Sequence, residues 1–146
     1  MRKYFLLLSL SLTLIISLVL PSTSYAEWTK VSESKRGDTF YVDFSRIRNH
    51  SGYVFWWRLT NYLKPTKQGH LSTKSYFQGD CKLFRTKYLS YIFHKQPMGQ
   101  GTGLSYTPKE EEWIYPSPNS VEEDVLKKIC NNAKGLKSKK SYFPTF

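Results

Sequence analysis

Past residue 20, this 146-residue chain has no apolar run long enough to cross a membrane. Histidine is scarce: His50, His70 and His94 stand far apart, and none has a Cys, Asp or Glu at metal-ligand spacing. No G-x-S-x-G elbow frames a nucleophile. The glycine-rich run Met98-Gly99-Gln100-Gly101-Thr102-Gly103 lacks the Lys-Ser/Thr ending of a phosphate-binding loop and reads as a flexible connection. No catalytic residue, metal or cofactor is therefore expected. Acid is also in short supply, with 11 Asp and Glu against 22 Lys and Arg, a formal net charge of +11.

What is present begins with a leader. Arg2 and Lys3 precede an apolar stretch from Phe5 to Leu20, followed by small residues at Ser24 and Ala26. That pattern is a secretory signal peptide over residues 1–26, cut after Ala26. It leaves the mature chain in the periplasm, at the outer membrane or outside the cell. No cysteine near the cut offers a lipid-attachment site. In an oxidising compartment Cys81 and Cys130 are expected to form one disulfide.

Residues 27–133 read as one α+β domain: a single antiparallel sheet of about six strands with one C-terminal helix packed on it, the disulfide tying helix to sheet. The central strand is Tyr53–Tyr62, Y-V-F-W-W-R-L-T-N-Y, aromatic and free of Gly and Pro. At period two, Tyr53, Phe55, Trp57 and Leu59 form a uniformly apolar face, expected to meet the core. Trp56, Arg58 and Tyr62 lie opposite: they are exposed candidate contacts if the helix covers the first face, and are covered if it packs on theirs.

Further strands are read at Trp28–Ser32, Thr39–Phe44, Gly69–Phe77, Cys81–Tyr88, Tyr88–His94 and Trp113–Tyr115, with a turn at Asn49–Gly52 and a long loop over Lys95–Pro108. The helix starts at Ser120, which with Glu123 fits a capping box. Val121, Val125, Ile129 and Ala133, with Leu126 and Cys130 beside them, make its apolar stripe. Residues 134–146, lysine-rich and without acid, read as a flexible tail.

The signal peptide followed by Glu27-Trp28, Thr39-Phe40-Tyr41-Val42-Asp43, Trp57-x-Leu59-x-Asn61-Tyr62, Ser75, Asp80-Cys81, Met98-Gly99-x-Gly101, Trp113, and Pro118-x-Ser120 leading to Cys130 together resemble the surface-adhesin protein E family of Gram-negative bacteria. The resemblance covers nearly all of the mature chain, in order. It implies a small exported protein with a mostly antiparallel sheet and a C-terminal helix. The family's founding member is an outer-membrane lipoprotein that binds host matrix and serum proteins; this chain lacks the lipidated cysteine.

Basic residues interleaved with aromatics suit anionic polymers and acidic protein patches, or make a solvated basic surface. Export argues against nucleic acid. The function expected is a non-enzymatic, adhesin-like binding protein contacting a host matrix protein or glycosaminoglycan through Trp56, Arg58, Tyr62, Arg46, Arg48, Lys82 and Arg85. A periplasmic inhibitor or assembly factor for another envelope protein is the alternative. A second copy of the chain is a further partner to consider, as a homodimer.

Overall fold

The structure is a computed structural model that describes residues 26–140, with the backbone alone for 136–140. The signal peptide expected before Ala26 and the end of the tail, 141–146, lie outside the described residues.

Seven strands form one antiparallel sheet: β1 (Trp28–Glu33), β2 (Thr39–Asp43), β3 (Arg48–His50), β4 (Tyr53–Asn61), β5 (Ser72–Asp80), β6 (Arg85–His94) and β7 (Gly103–Tyr106). Their order is β1-β2-β4-β5-β6-β7, with β3 paired on β4 beside β2. Chain neighbours pair with each other almost throughout, as short polar turns dictate. One helix, α1 (Val121–Lys140), follows.

The sequence reading and the structure differ in five places along the chain. Cys81–Phe84 is a turn rather than a strand, because the Asp80 carboxylate accepts the Lys82 and Leu83 N–H groups and folds the chain back. The two strands read on either side of Tyr88 are one strand, β6, interrupted by a bulge opposite Tyr76/Phe77. The loop expected over Lys95–Pro108 contains β7, and Trp113–Tyr115 contributes a single bridge, Thr86 to Ile114. Finally, α1 runs through Lys140 instead of stopping at Ala133. Nothing between Asn131 and Lys140 breaks a helix except the tolerable Gly135, and lysines suit a helix C-terminus.

The start of α1 follows the capping pattern with one variation. Ser120 Oγ accepts the Glu123 N–H at 3.1 Å, while the Glu123 carboxylate reaches back to the Asn119 N–H at 2.7 Å. Val125, Leu126, Ile129, Cys130 and Ala133 are all buried. They meet Val31 and Val42, and Val54, Trp56 and Phe77 in the middle of the sheet. Cys81 and Cys130 form the disulfide, Cα atoms 5.7 Å apart.

The helix therefore covers the Trp56 face of β4, not the Trp57 face, which corrects the expected orientation of the central strand. Val54 and Trp56 are 5% and 1% exposed, while Tyr53, Phe55 and Trp57 are half-buried. Register is the reason. Trp56 pairs with Phe77, and a Cβ on Gly79 would lie 2.7 Å from the Trp56 ring, so Trp56 fills the space that glycine leaves open. Phe77 stacks on it with centroids 5.1 Å apart. Leu59 is buried as expected, although on the other side, where the turn Pro97–Gly99 packs against β4 and β5.

Candidate binding surface

Among the described residues, no α-helix crosses the other side of the sheet. Strand alternation fixes what it displays. From β4 come Tyr53, Phe55 and Trp57. From β5 come Lys74 and Tyr76, with Asp80 at the end. β6 supplies Arg85, Lys87 and Ile92, and β3 supplies Arg48, the register partner of Phe55. Trp28 and Asp43, also partners, close the β1–β2 end.

The rings brace one another. Trp57 stacks on Tyr76 at 4.8 Å, and Phe55 leans on the same tyrosine at 6.3 Å. Tyr53 stacks on Trp113 at 5.7 Å, and Trp113 in turn carries the Arg85 guanidinium at 4.4 Å and the Lys87 ammonium at 5.3 Å from its centroid. Such stacked and cation–π pairs hold large side chains in place without covering them.

Charge on this side is positive. Three carboxylates answer part of it: Asp80 with Arg85 at 3.3 Å, Glu111 with Lys87 at 2.6 Å, and Asp43 with Arg46 at 3.2 Å. The last contact is an ion pair off the hydrogen-bonding line, and Asp43 also accepts the Ser45 N–H. Arg48 and Lys74 pair with no acid among the described residues. The Asp80 carboxylate is held below the usual range, first by the Leu83 N–H, then by the Lys82 N–H and Arg85. Lys74 is held below the ordinary lysine value by burial and then by the Arg46 charge; its ammonium donates to the Gly99 carbonyl at 2.8 Å.

The glycine-rich run is thus a packing element rather than a phosphate cradle. Gly99, at φ 66°, turns the chain directly over the Lys74 stem, and its N–H donates to Ser72 Oγ. Between this turn and β1 lies a cleft of about 260 Å³ lined by Ala26, Trp28, Asp43, Arg46, Trp57, Lys74 and Ile92; cleavage after Ala26 would open it at the Ala26 side.

Comparison with known proteins agrees with this architecture. The profile of the family described as surface-adhesin protein E matches residues 28–131. The chain belongs to the surface-adhesin protein E family. Crystal form II of Haemophilus influenzae protein E is 18% identical and superimposes with a TM-score of 0.55 over 77% of this chain and 93% of that one. Protein E from non-typeable Haemophilus influenzae gives 17% identity and a TM-score of 0.53 over 79% of this chain and 82% of that one. At that identity the likeness is one of fold. No curated protein sequence matches.

Within this protein E fold, the residues expected to form the contact surface divide. Trp56 and Arg58 lie beneath α1, 1% and 6% exposed, and cannot meet a partner while the helix is docked; this corrects their expected exposure. Tyr62 is half-buried at the end of the helix side, its hydroxyl bonded to Thr73 Oγ1. It lines a separate cleft of about 320 Å³ with Arg36 and Lys64. Arg46, Arg48 and Arg85 fall on the open side, and Lys82 projects from the adjoining β5–β6 turn. Sequence reading counted Lys74 and Lys87 among the interleaved basic residues without singling them out, and passed over Trp28, Trp57, Tyr76 and Trp113 as contacts. The available signal was Cys81: Phe77 and Gly79 share its parity on β5 and so must face the helix, which turns Lys74 and Tyr76 the other way.

Proposed function

We propose that this protein E family member is an exported, non-enzymatic, adhesin-like binding protein. It contacts host matrix or serum proteins, or other anionic partners, through the basic aromatic side of its sheet. The observation that carries this reading is the one-sided docking of α1. It buries Trp56 and Arg58 and leaves Trp57, Tyr53 and Trp113 half-exposed among Arg46, Arg48, Lys74, Arg85 and Lys87. Rigid aromatic rings beside arginines supply anchors for a partner, and the positive potential steers acidic ones.

Surface plasmon resonance on immobilised heparin and matrix proteins tests the proposal. Binding that weakens steeply with added salt is the expected result. No binding to any of these surfaces at low salt overturns it.

A further inference from the structure

The cleft at the Trp57–Lys74 end of the open side has a chemistry more specific than general basicity. Two indoles, Trp28 and Trp57, and the Ile92 side chain supply the apolar walls that remain after cleavage behind Ala26. Trp57 cannot drift, because Tyr76 stacks on it at 4.8 Å. Arg46 and Lys74 supply two cations, while the one carboxylate, Asp43, is fully buried and already engaged by Ser45 and Arg46. Burial first, and then the Arg46 charge, disfavour the charged form of Lys74. An arriving anion would relieve that repulsion, and a guanidinium accepts a carboxylate in bidentate geometry.

We infer that this cleft binds a uronate-type acidic sugar unit of an anionic polysaccharide. This rests on the anionic-partner reading above and gives it a site and a ligand class. A pyranose ring offers flat C–H faces to an indole and carries its carboxylate at the rim, so one ring can use the walls and the cations together. The volume of about 260 Å³ suits a single ring.

The cations continue beyond the cleft. Lys87 stands beside Gln78, four residues along β5 from Lys74, or about 13 Å at strand rise. A chain laid along β5 from the cleft therefore meets Lys87 and Arg85 on Trp113. That arrangement favours a polymer charged at intervals over a free monosaccharide.

Titration of the exported protein with a galacturonate oligomer, a heparin-derived oligosaccharide and a neutral maltooligosaccharide, followed through the indole N–H resonances, tests the inference. Both acidic oligomers are expected to move Trp28 and Trp57, and the neutral one to move neither. Lys74→Gln is expected to weaken binding at least tenfold with the melting temperature nearly unchanged; Arg46→Gln is expected to weaken it as much, but also to lower the melting temperature, because it leaves the buried Asp43 carboxylate without its ion pair. The inference is overturned if acidic oligomers shift Trp113 alone and only Lys87→Gln or Arg85→Gln weakens them; the general reading of the open side then stands. It is also overturned if no oligomer binds while immobilised matrix proteins still do. Loss of both kinds of binding removes the general reading as well.

Discussion

The Arg58 guanidinium lies 4.6 Å from the centre of the Phe77 ring, beneath the helix and within the core layer. Phe40 and Tyr88 flank it at 5.3 and 6.0 Å, and Glu122 of α1 reaches it at 3.6 Å. The cation is desolvated but surrounded by ring faces, with the Tyr88 hydroxyl 3.3 Å from its Nη2. Arg58→Ala removes the packing of the long stem as well as the charge and is expected to cost about 2–3 kcal/mol. Arg58→Met keeps most of the volume and avoids burying a charge, so it is expected to stay within about 1 kcal/mol of the parent. Urea unfolding of both variants checks this; a Met variant as unstable as the Ala variant would mean that the charge itself holds α1 down.

The disulfide joins the end of β5 to the middle of α1 across 49 residues. Breaking it frees a long loop in the unfolded chain, worth about 4 kcal/mol in the entropy model. Cys130→Ser is expected to lower the melting temperature by several degrees or more, since a domain this size has little stability in reserve. An unchanged melting curve under non-reducing conditions contradicts the pairing.

His94 supplies a pH dependence. It is 4% exposed, with Nδ1 3.1 Å from the Gln100 carbonyl. Burial first, and then the nearby Lys74 charge, hold its imidazole below the ordinary value of 6.5. The unfolded chain takes up the proton more readily than the folded one. The stabilising contribution is therefore complete above about pH 6.5 and is lost as pH falls below it toward the folded value. Unfolding free energies between pH 7.5 and 5 are expected to decline, and the decline to flatten in His94→Asn. An equal slope in parent and variant assigns the titration elsewhere.

Two glycines give opposite expectations. A methyl group at Gly79 would meet Trp56 at 2.7 Å and Val54 at 3.1 Å, so Gly79→Ala is expected to destabilise by about 1–3 kcal/mol. Gly135 is exposed within α1, with nothing within 4 Å of an added Cβ, and Gly135→Ala is expected to stabilise by about 0.5–1 kcal/mol. Thermal melts of the two variants moving in the same direction would contradict the placement of Trp56 or of the helix beyond Ala133.

The helix was legible because several signals agreed on it: the Ser120 cap, the acidic first turn and the apolar stripe running to Ala133. The disulfide was legible because two cysteines allow one pairing. The face of β4 was not. Both of its faces carry a tryptophan, and Tyr53, Phe55, Trp57 and Leu59 are the more apolar set. What decides between them is a register with β5 that sets Trp56 over Gly79, a relation no local pattern contains. The inversion carried the candidate surface with it: Arg46, Arg48 and Arg85 stayed available while Trp56 and Arg58 were enclosed. β7 escaped notice because Gly103–Tyr106 follows a glycine-rich run and is only four residues long.

The central claim is that partners meet the open side of the sheet. Its most direct measurement compares charge reversals by surface plasmon resonance on heparin at fixed salt. Arg48→Glu with Lys87→Glu changes the open side; Lys127→Glu with Lys134→Glu changes the exposed flank of α1 by the same total charge. The open-side pair is expected to lose at least tenfold in affinity and the helix pair less than threefold. Equal losses, or a larger loss from the helix pair, would contradict the claim.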